Sequence, residues 1–108
     1  MPARVRTMTP HELKARLDRG DALVLLDVRQ PWEHDHGHIP GSVLMPLPEV
    51  PERYEELDPQ AEIVAYCKIG ERSAAAADFL VRRGFTNVAN LAGGILAWAD
   101  DIDPNVLP

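Results

Sequence analysis

The chain has a single cysteine, set in the segment Cys67-Lys68-Ile69-Gly70-Glu71-Arg72-Ser73. Cysteine reacts as its thiolate. Nearby cations and helix N-termini lower the thiol pKa from about 8.5 into roughly the 3.5–7.5 range. This segment offers both influences. Lys68 and Arg72 bring positive charge, and Gly70 permits a turn or a close approach that a side chain would forbid. A short loop leading into a helix can aim several backbone N–H groups at one point, forming a nest for negative charge. The competing reading is a structural cysteine packed as a small hydrophobe, but an apolar packing site has no use for two adjacent cations. The segment therefore predicts a reactive sulfur.

Such a loop needs a strand before it and a helix after it, and the flanking sequence supplies both. Glu62-Ile63-Val64-Ala65-Tyr66 reads as a buried strand running directly into Cys67, and Arg72 to Arg83 reads as an alanine-rich helix stopped by Gly84. Ala22-Leu23-Val24-Leu25-Leu26-Asp27-Val28 is a near-continuous apolar run, as in a strand covered on both faces of a parallel sheet. Asn87 to Leu91 predicts a third strand, followed by Gly93-Gly94 and a last helix from Ile95 to about Ala99. Near the start, Thr9-Pro10-His11-Glu12 matches a capping box with proline in the first helical position, and Gly20 is a natural stop. Pro31, Gly37, Pro40, Gly41, Pro46, Pro48 and Pro51 predict mostly loop and turn between them, with a short helix around Glu52–Leu57. Strands alternating with helices predict an α/β fold with a mainly parallel sheet. In such sheets ligands sit beyond the carboxyl ends of the strands, which is where Cys67 falls.

The length of 108 residues fits one compact domain, 1–108. The formal charge of −6, with no basic stripe, argues against a nucleic-acid partner. No apolar run approaches the roughly 18–20 residues that span a bilayer. The opening MPARVRTMTP lacks the apolar stretch of a signal peptide. A lone cysteine cannot form an internal disulfide and suits a reducing compartment, so a cytoplasmic address is expected.

Four further groups carry alternative readings. His34, His36 and His38 would share one face of a strand and could bind zinc. However, the segment is rich in proline and glycine and no second ligand cluster exists, so no metal or other cofactor is expected. Asp27 and Arg29 stand at a strand's carboxyl end and could be catalytic; an internal ion pair, or one between Arg29 and Glu33, is the structural alternative. Trp98 is expected to pack rather than to present a substrate platform. Tyr66, next to Cys67 on a strand, should face the opposite side of the sheet, in the core.

Cys67 to Ser73 resembles the active-site loop of rhodanese domains, Cys-x-x-Gly-x-Arg followed by Ser or Thr. Leu26-Asp27-Val28-Arg29 with Glu33 resembles the family's Asp-Val-Arg segment, and Gly37-His38-Ile39-Pro40-Gly41-Ser42 is similar to its Gly-His-Ile-Pro-Gly-Ala. Leu91-Ala92-Gly93-Gly94-Ile95 through Trp98 resembles its Gly-Gly-x-x-x-Trp. The match covers about residues 22–100. The resemblance implies a three-layer α/β domain with a mostly parallel, five-stranded central sheet. It also implies a thiosulfate sulfurtransferase in which Cys67 carries sulfur as a persulfide, with substrate-binding groups contributed by Lys68, Ile69, Gly70, Glu71, Arg72 and Ser73. The donor would be a small sulfur-bearing anion, and the acceptor a thiol, cyanide or a sulfur-carrier protein. Ile69 stands where the family often has Ser or Thr. Glu71 places a negative charge in the loop and is expected to point outward.

Other functions fit less well. Cys-dependent phosphatases and arsenate reductases use a related cradle, but with Cys-x5-Arg; Cys67 to Arg72 is one residue shorter and suits one sulfur better than a phosphate. A thiol–disulfide oxidoreductase lacks its resolving cysteine here. A docking module with an incidental cysteine is the rival from another class, yet inactive rhodanese-like domains usually lose the cysteine or the loop cations. Lys68 and the ending Trp98 to Pro104 also resemble rhodanese domains fused to adenylating enzymes, which would make a ubiquitin-like sulfur carrier the partner.

Overall fold

A computed structural model describes residues 4–108; residues 1–3, where the basic opening segment begins, lie outside it. The elements in chain order are β1 (Arg6–Met8), α1 (Pro10–Asp18), β2 (Val24–Asp27), α2 (Pro31–His36), β3 (Val43–Leu44), α3 (Val50–Arg53), β4 (Ile63–Tyr66), α4 (Glu71–Arg82), β5 (Val88–Leu91) and α5 (Gly94–Asp101). Single 3-10 turns at Leu47–Glu49 and Tyr54–Glu56 flank α3.

The five strands form one sheet in the order β1-β5-β4-β2-β3, and every pairing is parallel. Strand β4 lies in the middle, and all four of its residues are buried. That position explains its uninterrupted apolar composition, since both faces of a central parallel strand are covered. Side chains alternate across the sheet with period two. Ile63 and Ala65 therefore pack with Ala76, Ala77 and Leu80 of α4 and with Val50 of α3. Val64 and Tyr66 pack on the other face, with Leu13 of α1 and Ile95 and Trp98 of α5. The same alternation, carried one residue past β4, turns Cys67 toward the α4 side. The result is three layers, helices on both faces of one sheet.

Helix α1 starts as its sequence predicts. The Glu12 amide donates to Thr9 Oγ1 at 3.1 Å and the Thr9 amide to Glu12 Oε1 at 3.4 Å, so two otherwise unpaired amides are satisfied reciprocally. Tyr66 and Trp98 are core residues, as expected.

Two expectations fail. The proline-rich stretch 31–51 is not mostly loop: Pro31 opens α2, with the Gln30 amide bonded to Glu33 Oε1 at 3.1 Å. Proline lacks only an N–H that the first turn of a helix leaves unpaired anyway. The short helix placed at Glu52–Leu57 begins earlier, at Val50, and ends in a 3-10 turn. Strand β1 was not anticipated. It is three residues long and exists through its pairing with β5, far away in sequence. No described helix is long and apolar enough to cross a membrane.

Candidate active site

Cys67 is the first residue beyond the carboxyl end of β4. Its sulfur receives hydrogen bonds from the Gly70 amide at 3.1 Å, the Ser73 amide at 3.4 Å and the Ser73 hydroxyl at 3.3 Å. The loop can close this tightly because Gly70, the residue capping α4, sits at φ +110°, in the region that side chains make costly. The Ser73 amide belongs to the first turn of α4, where N–H groups have no partners within the helix. Cys67 itself is only 1% exposed. Burial pushes its thiol up, but the Ser73 hydroxyl and the amides of Ser73, Gly70 and Ile69 outweigh that and hold it below its ordinary value.

The loop backbone is fastened from the other side by α5. The Ile95 amide donates to the Cys67 carbonyl at 2.9 Å and the Leu96 amide to the Lys68 carbonyl at 3.1 Å. This approach requires glycine at position 94. Its φ is +62°, and a Cβ there would lie 2.4 Å from the Lys68 oxygen and 2.6 Å from the Cys67 oxygen. Both contacts are with backbone, so the loop itself must shift. Gly94→Ala is expected to destabilise the protein by about 2–4 kcal/mol and to slow alkylation of Cys67 roughly tenfold. Urea unfolding and iodoacetamide kinetics check the two effects separately.

The remaining loop residues take different places. Lys68 and Glu71 are exposed, and Ile69 is 51% exposed. Arg72 does not stand free beside the sulfur. Its guanidinium forms two hydrogen bonds with Glu33 of α2, at 2.7 and 3.0 Å, which hold the Glu33 carboxyl below the usual range. Of the two ion pairs expected for Arg29, the one with Glu33 does not occur and the one with Asp27 does.

Arg29 and Asp27 are both buried and pair with each other. Arg29 Nε and Nη2 donate to the two Asp27 oxygens at 2.9 and 2.8 Å, and Nη2 also donates to the Gly37 carbonyl at 2.7 Å. His34 Nδ1 lies 2.9 Å from Asp27 Oδ2, and the Tyr66 hydroxyl lies 3.2 Å from the same oxygen. This network ties α2 and the 37–42 turn to the sheet, the structural alternative for Asp27 and Arg29. The three histidines do not share a strand face. The chain turns at Gly37, just past the end of α2, and brings His38 back onto His34 as stacked rings, centroids 3.8 Å apart, with His38 Nδ1 2.9 Å from the His34 carbonyl. Among the described residues no three His, Cys, Asp or Glu side chains gather as a metal set.

One neighbour was missed. Asn90 of β5 stands opposite Ala65 in the sheet register and reaches the loop through both ends of its amide. Oδ1 is 2.6 Å from Ser73 Oγ, and Nδ2 donates to the Gly70 carbonyl at 3.1 Å. An asparagine in an otherwise apolar strand was the available signal, since even a half-buried amide there needs partners.

The family profile of the rhodanese-like domain matches residues 9–101. A protein of Allochromatium vinosum named sulfurtransferase is 36% identical over 104 residues, covering 96% of this chain and 97% of its own. A probable adenylyltransferase/sulfurtransferase of Mycobacterium tuberculosis is 41% identical over 107 residues; the match takes in 97% of this chain but only 27% of that protein. Among solved structures, a rhodanese-related protein of Thermoplasma volcanium superposes with a TM-score of 0.82 at 31% identity, covering 90% of this chain and 93% of its own.

Proposed function

The chain belongs to the rhodanese-like family, and on that premise we propose that it transfers sulfane sulfur through a persulfide on Cys67. The convergence of two amides and a hydroxyl on the Cys67 sulfur carries this reading. Donors preset around a site of negative charge stabilise the thiolate without reorganisation during reaction.

In the first step the Cys67 thiolate attacks the outer sulfur of thiosulfate. A new S–S bond forms, the old one breaks, and sulfite leaves with its electron pair, so the single negative charge of the thiolate moves to the terminal persulfide sulfur. In the second step cyanide attacks that sulfur, giving thiocyanate and restoring the thiolate; a protein or small thiol can take the place of cyanide. The loop amides cradle the negative sulfur in both states. Because Arg72 is neutralised by Glu33, exposed Lys68 is the loop cation that meets an anionic donor, while Arg72 holds the loop against α2. Similarity to the Mycobacterium protein, which couples an adenylyltransferase to a sulfurtransferase in its name, supports a sulfur-carrier protein as the acceptor.

The test is intact mass after incubation with thiosulfate. The expected gain is one sulfur atom, about 32 Da, as a covalent intermediate requires, with reversal by cyanide. Release of nitrophenol from an aryl phosphate, with no gain in mass, would replace this reading with phosphatase chemistry.

A further inference from the structure

Ser73 Oγ carries one proton and lies within reach of two acceptors, Asn90 Oδ1 at 2.6 Å and Cys67 Sγ at 3.3 Å. A hydroxyl can donate only one hydrogen bond at a time. Ser73 is fully buried, so water offers no third partner. Nor can the Asn90 amide turn over to relieve the competition. Nδ2 already donates to the Gly70 carbonyl at 3.1 Å, and reversing the amide would set two carbonyl oxygens against each other there. We propose that Asn90 is a positioning residue that competes with the Cys67 sulfur for the Ser73 proton, and so sets how strongly the thiolate is stabilised.

The competition has a direction in each state of the sulfur. In the thiol form, Cys67 S–H can donate into a Ser73 lone pair while the Ser73 proton rests on Asn90. Ionisation pulls that proton toward the sulfur, at the expense of the Asn90 bond. When the sulfur attacks and becomes a neutral divalent atom, it is again a poor acceptor, and the proton swings back to Asn90. No proton leaves Ser73 at any point; its O–H only reorients. Asn90 thus withholds part of the stabilisation from the resting thiolate and returns it as the sulfur loses its charge, which keeps the nucleophile reactive. Its bearing on sulfur transfer rests on the proposed function, whereas its effect on Cys67 ionisation does not.

The charged groups around the sulfur are Lys68 of the loop, Glu71 and Arg72 of α4 with Glu33 of α2, and the Asp27–Arg29 pair at the end of neighbouring β2. All remain in every variant below, so they move the curves together. The experiment compares pH profiles of Cys67 alkylation by iodoacetamide for the wild type, Asn90→Ala, Ser73→Ala and the double variant. Asn90→Ala is expected to shift the midpoint to lower pH. Its rate should be ~2–3-fold higher below the wild-type midpoint and ~2-fold lower above it, because a less basic thiolate is a weaker nucleophile. The two curves therefore cross. In the Ser73→Ala background, Asn90→Ala should change nothing further.

A midpoint that is unmoved or raised in Asn90→Ala overturns the proposal, the latter meaning that the Gly70 carbonyl bond merely braced the loop. So does an equal shift in the Ser73→Ala background. Asn90→Leu, closer in shape, gives the same readings if the alanine variant does not fold. Because alkylation needs no sulfur donor, crossing curves without any persulfide would leave the Asn90 assignment standing and remove the proposed function alone.

Discussion

Cys67→Ser is expected to lose sulfur transfer by roughly four orders of magnitude or more, the scale seen when an enzyme's nucleophile is removed, while the protein stays folded. The nest formed by Gly70 and Ser73 stabilises a thiolate and holds the thiol below its ordinary value. A serine hydroxyl starts many units higher, and three hydrogen bonds cannot ionise it. The variant should show no mass gain with thiosulfate. Sulfur transfer retained by this variant, whose only thiol is gone, would end the mechanism. Stability adds a second signature. The folded thiol ionises below its ordinary value, so the unfolded chain binds more protons across that interval. Stability of the wild type should therefore rise with pH from the folded thiol value up to the ordinary one, and Cys67→Ser should lack that rise.

Arg29→Ala is expected to cost about 3–5 kcal/mol, because it leaves the Asp27 carboxylate buried and deprived of its main partner. Against a total of about 5–15 kcal/mol for a domain of this size, that brings the protein near unfolding at ambient temperature. The sign of the pH dependence separates this cause from simple loss of packing. In the wild type, burial pushes the Asp27 carboxyl up, but bonds from Arg29 and His34 outweigh it and leave it below its ordinary value. Its contribution is therefore complete above about pH 4 and is lost as the pH falls through the folded value. Without Arg29 the burial effect dominates, the carboxyl rises above its unfolded value, and mild acid should recover stability instead. Measured from pH 7 to pH 5, the urea midpoint of Arg29→Ala should climb relative to that of the wild type, since the other titrating groups are common to both. Parallel curves would mean that Arg29 matters for its bulk rather than its charge.

The parts of the structure legible in the sequence were those written in local pattern. The apolar runs of β2 and β4, the alanine-rich α4 and the Thr9 capping box depend on neighbours a few residues away. So does the Cys67–Ser73 loop, whose glycine and helix start are adjacent in the chain. What escaped was written over distance. Strand β1 is three residues of mixed polarity that read as strand only once β5 lies beside them. Helix α2 has no apolar periodicity because its anchor is charged: Glu33 is buried by Arg72, 39 residues away, while Trp32 is 68% exposed. The histidines followed from that error, since a strand aligns positions 34, 36 and 38, whereas here α2 ends at His36 and the chain folds His38 back over His34. Arg72 and Asn90 show the same limit within the site. Their residue types were visible, but the choice of Glu33 over the sulfur's surroundings, and of Ser73 over solvent, is made by folds of the chain that no spacing encodes.

The fastening of the Cys67 and Lys68 carbonyls to the amides of Ile95 and Leu96 has a consequence for biosynthesis. Translation delivers β4 to the ribosomal exit well before α5, so a nascent chain exposes its cysteine while those carbonyls still lack their donors. The finished geometry around the sulfur therefore arrives only when α5 docks, which ties the loop's final shape to completion of the domain.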